Sequence, residues 1–372
     1  MNSLRTAIIS VTTHGAKLGQ QLRAYFTRAE ALGQVDIACF EKEGRTSGEA
    51  ATIFTAMKPH MEMWFTTYDR LLFIMATGIV VRMIAPYIKH KSEDPAIVVM
   101  DEQGKFAISL LSGHLGGANE WTAEIADVVG ATPVITTATD VNGIPAPDVL
   151  ARKLHCQVED FTTLKEVNAA LVAGETVPYY IDDTLYFLHH YEAVAKAQGI
   201  ELIRFNPHTV TGKSLLQQGG DETPRVVITD LILPTGLRTL VLRPPTMVVG
   251  IGCRRDTPKE LVLQAVSESL ANVERSPKSV ASAASVIVKA DEVGLLAAVK
   301  ELQWPIHFFT QEEMAPFIEH SQLEESNFVK ETIGVGNVCE TTALMQAKSQ
   351  TLLQKKTVYP RTTVAIAQVQ SK

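Results

Sequence analysis

Ser112-Gly113-His114-Leu115-Gly116-Gly117-Ala118-Asn119-Glu120 is the stretch whose reading decides the fold. Before it, Phe106 to Leu111 is an apolar run that reads as a strand; after it, Asn119 to Val129 carries apolar residues at helical spacing. The order is strand, glycine-rich turn, helix, the repeating step of an α/β layer. Glycines let backbone amides approach a ligand without an intervening β-carbon, and a helix start adds unpaired N–H donors with positive dipole character. His114 stands among these donors with a side chain that titrates near neutrality. A proton carrier beside an oxyanion-binding nest is the expectation, weighed against a plain turn with a surface histidine.

The same alternation extends outward from this centre. Strands are expected at Ala7 to Val11, Val35 to Phe40 and Leu71 to Ala76, with helices near Gly19 to Leu32 and Ala50 to Met57. Such alternation implies a mainly parallel sheet whose ligands gather beyond the carboxyl ends of its strands. Thr12-Thr13-His14-Gly15 and Ala76-Thr77-Gly78-Ile79 read as loops at those ends, and Asp101-Glu102-Gln103-Gly104 as a hairpin turn joining Ala96–Met100 to Phe106–Leu111. Arg82 is the one charge in an apolar segment, so it binds either a ligand or an internal carboxylate.

Turn formers between Thr139 and Pro147 mark one boundary, and Arg243-Pro244-Pro245 marks another. The expected organisation is an N-terminal α/β domain over 1–138, a smaller middle α/β region over 139–243 and a C-terminal α/β domain over 244–372. The middle region is read with a helix at Leu164 to Ala173, an aromatic run at Tyr179-Tyr180-Ile181 and a strand at Arg225 to Thr229. In the last region Gly250-Ile251-Gly252-Cys253-Arg254 and Gly334-Val335-Gly336-Asn337 are further glycine loops, and Thr257, Pro258 and Glu260 match a capping box. Neither glycine loop has the spacing of a dinucleotide fingerprint or a phosphate loop, so NAD and ATP are not expected.

Composition sets the outer limits. A chain of 372 residues with 46% hydrophobic and 20% charged residues has the make-up of an ordinary globular protein. A formal charge of −7 disfavours broad nucleic-acid binding, so an anionic ligand needs a local basic site. Leu71 to Val81, the longest apolar stretch, is too short to span a bilayer, and the N-terminus lacks a secretory signal, so a cytoplasmic protein is expected. The four cysteines are scattered and read as reduced thiols, and His189-His190 has no completing ligands, so no metal site is expected.

Thr77-Gly78-Ile79-Val80-Val81-Arg82, Asp94-Pro95-Ala96-Ile97-Val98-Val99 and Ser109 to Asn119 resemble the N-terminal domain of the cobalt-precorrin-5A hydrolases of anaerobic cobalamin biosynthesis. The loops at Gly250 to Arg254 and Gly334 to Glu340 are similar to that family's C-terminal domain. The resemblance implies a hydrolase that opens the δ-lactone of a cobalt-tetrapyrrole and releases acetaldehyde. It implies no cofactor of the protein's own, because cobalt arrives in the substrate, and no nucleic-acid or membrane partner; transient handover to other corrin-pathway enzymes is compatible with it. On this reading His114 serves lactone opening as base or oxyanion donor, and Glu120, Asp94 or Asp101 assists the following carbon–carbon cleavage. Substrate binding falls to Thr77, Gly78, Arg82, Ser112, Gly113, Gly116, Gly117, Asn119, Gly250, Gly252, Cys253, Arg254, Gly336 and Asn337, with Lys89, Lys91 and Arg255 as further cations. A non-enzymatic corrinoid carrier would use the same loops without needing His114, and a nucleotide-dependent α/β enzyme is the other rival.

Overall fold

The computed structural model describes residues 4–29, 36–210, 212, 223–232, 238–320 and 337–370. The chain forms two compact units, Met1–Arg152 and Lys153–Lys372.

The first unit runs β1 (Arg5–Ser10), α1 (Thr13–Ala29), β2 (Asp36–Lys42), β3 (Thr52–Phe54), α2 (Met61–Thr67), β4 (Arg70–Ile74) and α3 (Thr77–Ile84). It continues with β5 (Ala96–Met100), β6 (Phe106–Leu111), α4 (Ala118–Val129), β7 (Thr132–Val134), α5 (Ala138–Val141) and α6 (Pro147–Lys153). Seven strands lie in the order β3-β2-β1-β4-β5-β6-β7. Because side chains alternate across a strand, the unbroken apolar runs of β1, β4 and β5 feed two cores at once. Ala7, Ile9, Leu71, Phe73, Ile97 and Val99 pack with Trp64 of α2 and Val80 of α3 on one face. Ile8, Leu72, Ile74, Val98 and Met100 pack with Leu22 of α1 and Trp121 and Ile125 of α4 on the other.

One reversal governs where the loops go. β1, β4 and β5 are mutually parallel, but β6 runs antiparallel to β5 with Ile97 opposite Leu111 and Met100 opposite Ala107. Asp101 makes the reversal: its Oδ1 accepts from Gln103 N at 2.9 Å, and its Oδ2 from Lys105 N at 2.9 Å and Phe106 N at 2.7 Å. One of the three carboxylates offered for the cleavage step is therefore used as a turn holder. β7 is parallel to β6, so β6-α4-β7 forms a βαβ step pointing opposite to the rest of the sheet.

Several local expectations are corrected. The segment 50–57, read as helical, holds the short strand β3, whose Phe54 is buried and whose pairing to β2 overrides local periodicity. Thr77-Gly78-Ile79, read as loop, is the first turn of α3, and the helix after β1 likewise begins at Thr13.

The second unit holds two five-stranded sheets. The first contains β8 (Gln157–Val158), β9 (Tyr179–Asp182), β10 (Leu202–Phe205), β11 (Arg225–Ile228) and β12 (Thr239–Arg243), with α7 (Phe161–Val172) and α8 (Leu188–Ala197) between strands. The second begins with β13 (Met247–Cys253), α9 (Lys259–Asn272), β14 (Val280–Val286), α10 (Val293–Glu301), β15 (Ile306–Phe309) and α11 (Gln311–His320). It closes with α12 (Cys339–Ala347) and the antiparallel pair β16 (Leu352–Tyr359) and β17 (Thr362–Gln368). A buried polar seam joins the two sheets: the Asp230 carboxylate takes the Arg275 guanidinium and, at 2.6 Å, the Thr246 hydroxyl, while Ser276 N donates to Asp230 O at 2.8 Å.

Gly250 and Gly252 are strand residues of β13, not a loop. A β-carbon on Gly250 would stand 1.9 Å from the Cys339 carbonyl oxygen, so glycine here lets the backbone of α12 lie directly on β13. The capping box is also absent: Pro258 occupies the cap position of α9 and the Thr257 hydroxyl donates to Arg254 O at 2.7 Å instead. Gly250→Ala should lower stability by about 1–3 kcal/mol, the range for forcing extra atoms into a packed interior. Chemical denaturation of the full chain measures this, and an unshifted midpoint would show that α12 yields freely.

Candidate active site around His114

The carboxyl end of β6 delivers a loop that is built tightly on itself. Ser112 adopts a left-handed φ of 56° and its hydroxyl donates to Asp94 O at 2.9 Å. Gly113 is pressed against the Asn119 amide, where a β-carbon would meet Oδ1 at 2.7 Å. Gly116 is equally confined by Ser112, and Gly117 caps α4 with a φ of 81°. The first helical amides are used inside this turn: Gly117 N donates to His114 O, Ala118 N to Ser112 O and Asn119 N to Gly113 O, at 3.0 to 3.2 Å. These three amides are therefore already satisfied within the turn.

The side chains form the site instead. His114 Nδ1 lies 3.1 Å from Asp148 Oδ1, and His114 Nε2 lies 2.6 Å from Asp140 Oδ2. Asn119 Nδ2 donates to the same Asp140 oxygen at 2.9 Å and to the Thr137 hydroxyl at 3.0 Å, while Asn119 Oδ1 accepts from Ser109 at 2.6 Å. The Thr139 hydroxyl stands 3.3 Å from His114 Nε2. Asp140 rides on α5 after β7 and comes from the segment read as a boundary, whereas Asp148, directly after that segment, rides on α6. Side-chain exposure falls from 35% at Asp140 to 9% at His114 and 4% at Asp148, so the three groups lead from the surface inward.

Burial is the largest influence on the His114 imidazole and opposes its charge, but the hydrogen bonds and charges of Asp148 and then Asp140 outweigh it and raise its pKa. For Asp148 burial pushes upward, and the His114 ring, with Lys91 adding a smaller attraction, holds the carboxyl below its ordinary value. With a carboxylate oxygen within hydrogen-bond distance of each ring nitrogen, the site favours the protonated ring, which can donate from both.

The remaining expected site residues separate. Glu120 pairs with the guanidinium of Arg152, which packs over Gly117. Asp94 is buried with its Oδ1 accepting from Lys89 N at 3.0 Å, so it shapes the loop under Ser112. Beside it, a cavity of about 560 Å³ is lined by Phe65, Tyr68, Tyr87, Lys89, Leu115 and Gly116 among others. Thr77 and Gly78 lie at the carboxyl end of β4, the opposite end of the sheet from His114, because β6 runs backwards. Arg82 is exposed and makes no ion pair among the described residues, which removes the internal salt bridge as its explanation.

In the second unit burial pushes the Cys253 thiol up to about 11, leaving it a thiol and not a thiolate nucleophile. Arg254 is exposed, Arg255 pairs with Asp291 and Glu292, and Asn337 is buried with its Oδ1 accepting from Glu340 N in the first turn of α12 at 3.2 Å. Gly336 lies outside the described residues. Among the described residues no group of three or more His, Cys, Asp or Glu side chains is arranged to hold a metal ion, and no helix is long and apolar enough to cross a membrane.

Asp140, Asp148, Thr137 and Ser109 were not anticipated. One signal was present: Asp140 and Asp148 are the only charged residues between Ala131 and Leu150. Their partners were hidden because the pairing runs across 26 and 34 positions.

A raised histidine pKa means that folding favours the protonated ring. Its stabilisation is complete below the unfolded value of about 6.5 and is lost as pH rises through the folded value. The lowered Asp148 contributes above its unfolded value of 3.8 and loses that contribution as pH falls through its folded value. The melting-temperature gap between the wild type and His114→Asn should thus be widest between these two ordinary values and narrow on the alkaline side. A gap that stays flat or widens with rising pH contradicts the imidazolium assignment.

Comparison with known proteins gives the lineage. The sequence matches Cobalamin synthesis G N-terminal over residues 59–140, Cobalamin biosynthesis central region over 145–244 and Cobalamin synthesis G C-terminus over 247–367. It is 37% identical to the cobalt-precorrin-5A hydrolase of Salmonella typhimurium over 77% of this chain and 79% of that one. It is 28% identical to the cobalt-precorrin-5A hydrolase of Priestia megaterium over 97% and 94%. A solved structure of a cobalamin biosynthesis protein G homolog from Sulfolobus solfataricus is 21% identical, with 98% and 97% coverage and a TM-score of 0.36. With all three segments present in order and a relative of 37% identity, the chain belongs to the cobalt-precorrin-5A hydrolase family of cobalamin-synthesis proteins.

Proposed function

We propose that this chain is a cobalt-precorrin-5A hydrolase that opens the δ-lactone of a cobalt-tetrapyrrole and releases acetaldehyde. The observation that carries the reading is the His114 ring held between the carboxylates of Asp140 and Asp148 in a glycine-rich loop, in a chain 37% identical to an enzyme of that name. Lactone hydrolysis needs a group that takes a proton from water and positive charge near the carbonyl oxygen, and a carboxylate–imidazolium pair supplies both within a few ångströms. The subsequent loss of acetaldehyde is a retro-aldol step: the freed hydroxyl gives up its proton, the carbon–carbon bond breaks, and its electron pair passes into the conjugated ring system. Cobalt belongs to the substrate, and the protein supplies no cofactor of its own. Arg82, exposed and without an ion pair among the described residues, is suited to a substrate carboxylate.

Purified protein incubated with cobalt-precorrin-5A should release acetaldehyde, measured by coupled reduction with alcohol dehydrogenase. His114→Asn should slow release by roughly 10²- to 10⁴-fold while substrate binding survives. A protein that binds the substrate and yields no acetaldehyde is a carrier, and the hydrolase reading falls. Arg82→Lys keeps the charge and loses the two-pronged geometry, so it should weaken substrate binding at unchanged melting temperature. Unchanged affinity would leave Arg82 outside the site.

A further inference from the structure

We infer that Asp140, and not His114, is the catalytic base that takes the proton from the attacking water, with His114 and Asp148 as the residues that position it. This rests on the hydrolase reading and assigns the parts within it.

Three observations lead to Asp140. First, both nitrogens of the His114 ring are engaged by carboxylates, at 2.6 Å and 3.1 Å. A ring that donates twice has no lone pair to offer water. Second, the two hydrogen bonds that Asp140 receives, from His114 Nε2 and Asn119 Nδ2, both end on Oδ2. Its other oxygen, Oδ1, accepts no hydrogen bond from a described residue, while Oδ2 is fixed from two sides. A carboxylate held by one oxygen presents the other in a defined direction, which is what a general base requires. Third, Asp140 is the most exposed of the three, with a side chain 35% accessible against 9% and 4% for His114 and Asp148. A substrate arriving from solvent meets it first.

The step balances without another reagent. Water's oxygen bonds to the lactone carbonyl carbon as one of its protons passes to Asp140 Oδ1. The tetrahedral oxyanion collapses, the ring carbon–oxygen bond breaks, and the departing oxygen takes the proton back from Asp140. The product is a carboxylic acid and a hydroxyl, and the carboxylic acid loses its proton to solvent. Asn119, tied by Ser109 and Thr137, completes the frame that keeps Asp140 facing its histidine.

The test uses the full chain with cobalt-precorrin-5A and compares wild type, Asp140→Asn and Asp140→Ala. Mass spectrometry separates intact lactone from opened hydroxy acid, which is heavier by one water, and acetaldehyde is assayed in parallel. Asp140→Asn should slow lactone opening by roughly 10²- to 10⁴-fold at unchanged substrate affinity, with intact lactone accumulating. In Asp140→Ala, added formate should fill the vacated space and restore part of the lost rate, whereas Asp140→Asn, which leaves no space, should not respond. Opening at the wild-type rate in Asp140→Asn, accumulation of opened hydroxy acid, or failure of formate to raise the rate of Asp140→Ala would each overturn the assignment. A wild type that opens no lactone defeats the hydrolase reading as well, so the two failures are told apart by the wild-type control.

Discussion

The reversal held by Asp101 is the constraint on which the first unit depends. Three backbone amides converge on one carboxylate at the tip between β5 and β6, and the antiparallel register that follows sets the direction of everything downstream. β7 inherits that direction by pairing parallel to β6. The carboxyl ends of β6 and β7 therefore open side by side, one carrying His114 and the other leading to Thr137 and Asp140. A parallel β6 would have sent the histidine to the other end of the sheet, beside Thr77.

That constraint also explains what could be read from the residues alone. The two-sided burial of β1, β4 and β5 was legible, since continuous runs such as Ala96 to Met100 suit a strand covered on both faces. The loop at His114 was legible as a site because glycines cluster around a titratable residue. Its partners were not. Asp140 lies among turn formers and Asp148 directly after them, and local chemistry there says only that the chain bends. Long-range pairing, not composition, turns those bends into a clamp.

Glycine misled in a different way. Around Gly113 and Gly250 the missing β-carbon serves close packing, against the Asn119 side chain in one case and the Cys339 carbonyl in the other. Both patterns look the same in sequence as a loop opened for a ligand. Likewise the amides of the cap residue Gly117 and of the first two helical residues, Ala118 and Asn119, are satisfied by the carbonyls of His114, Ser112 and Gly113.

The position of α6 has an evolutionary and practical reach. His114 and Asp140 lie in the segment matched as N-terminal, whereas Asp148 and the Arg152 that packs over Gly117 lie in the segment matched as central. The borders of sequence similarity thus cut through one constellation of interacting groups. An excised cassette ending at the first border would carry a histidine stripped of its buried counterion. Recombination between relatives at that border would need to exchange the stretch to Arg152 with it, so the inheritable module is longer than the recurring motif.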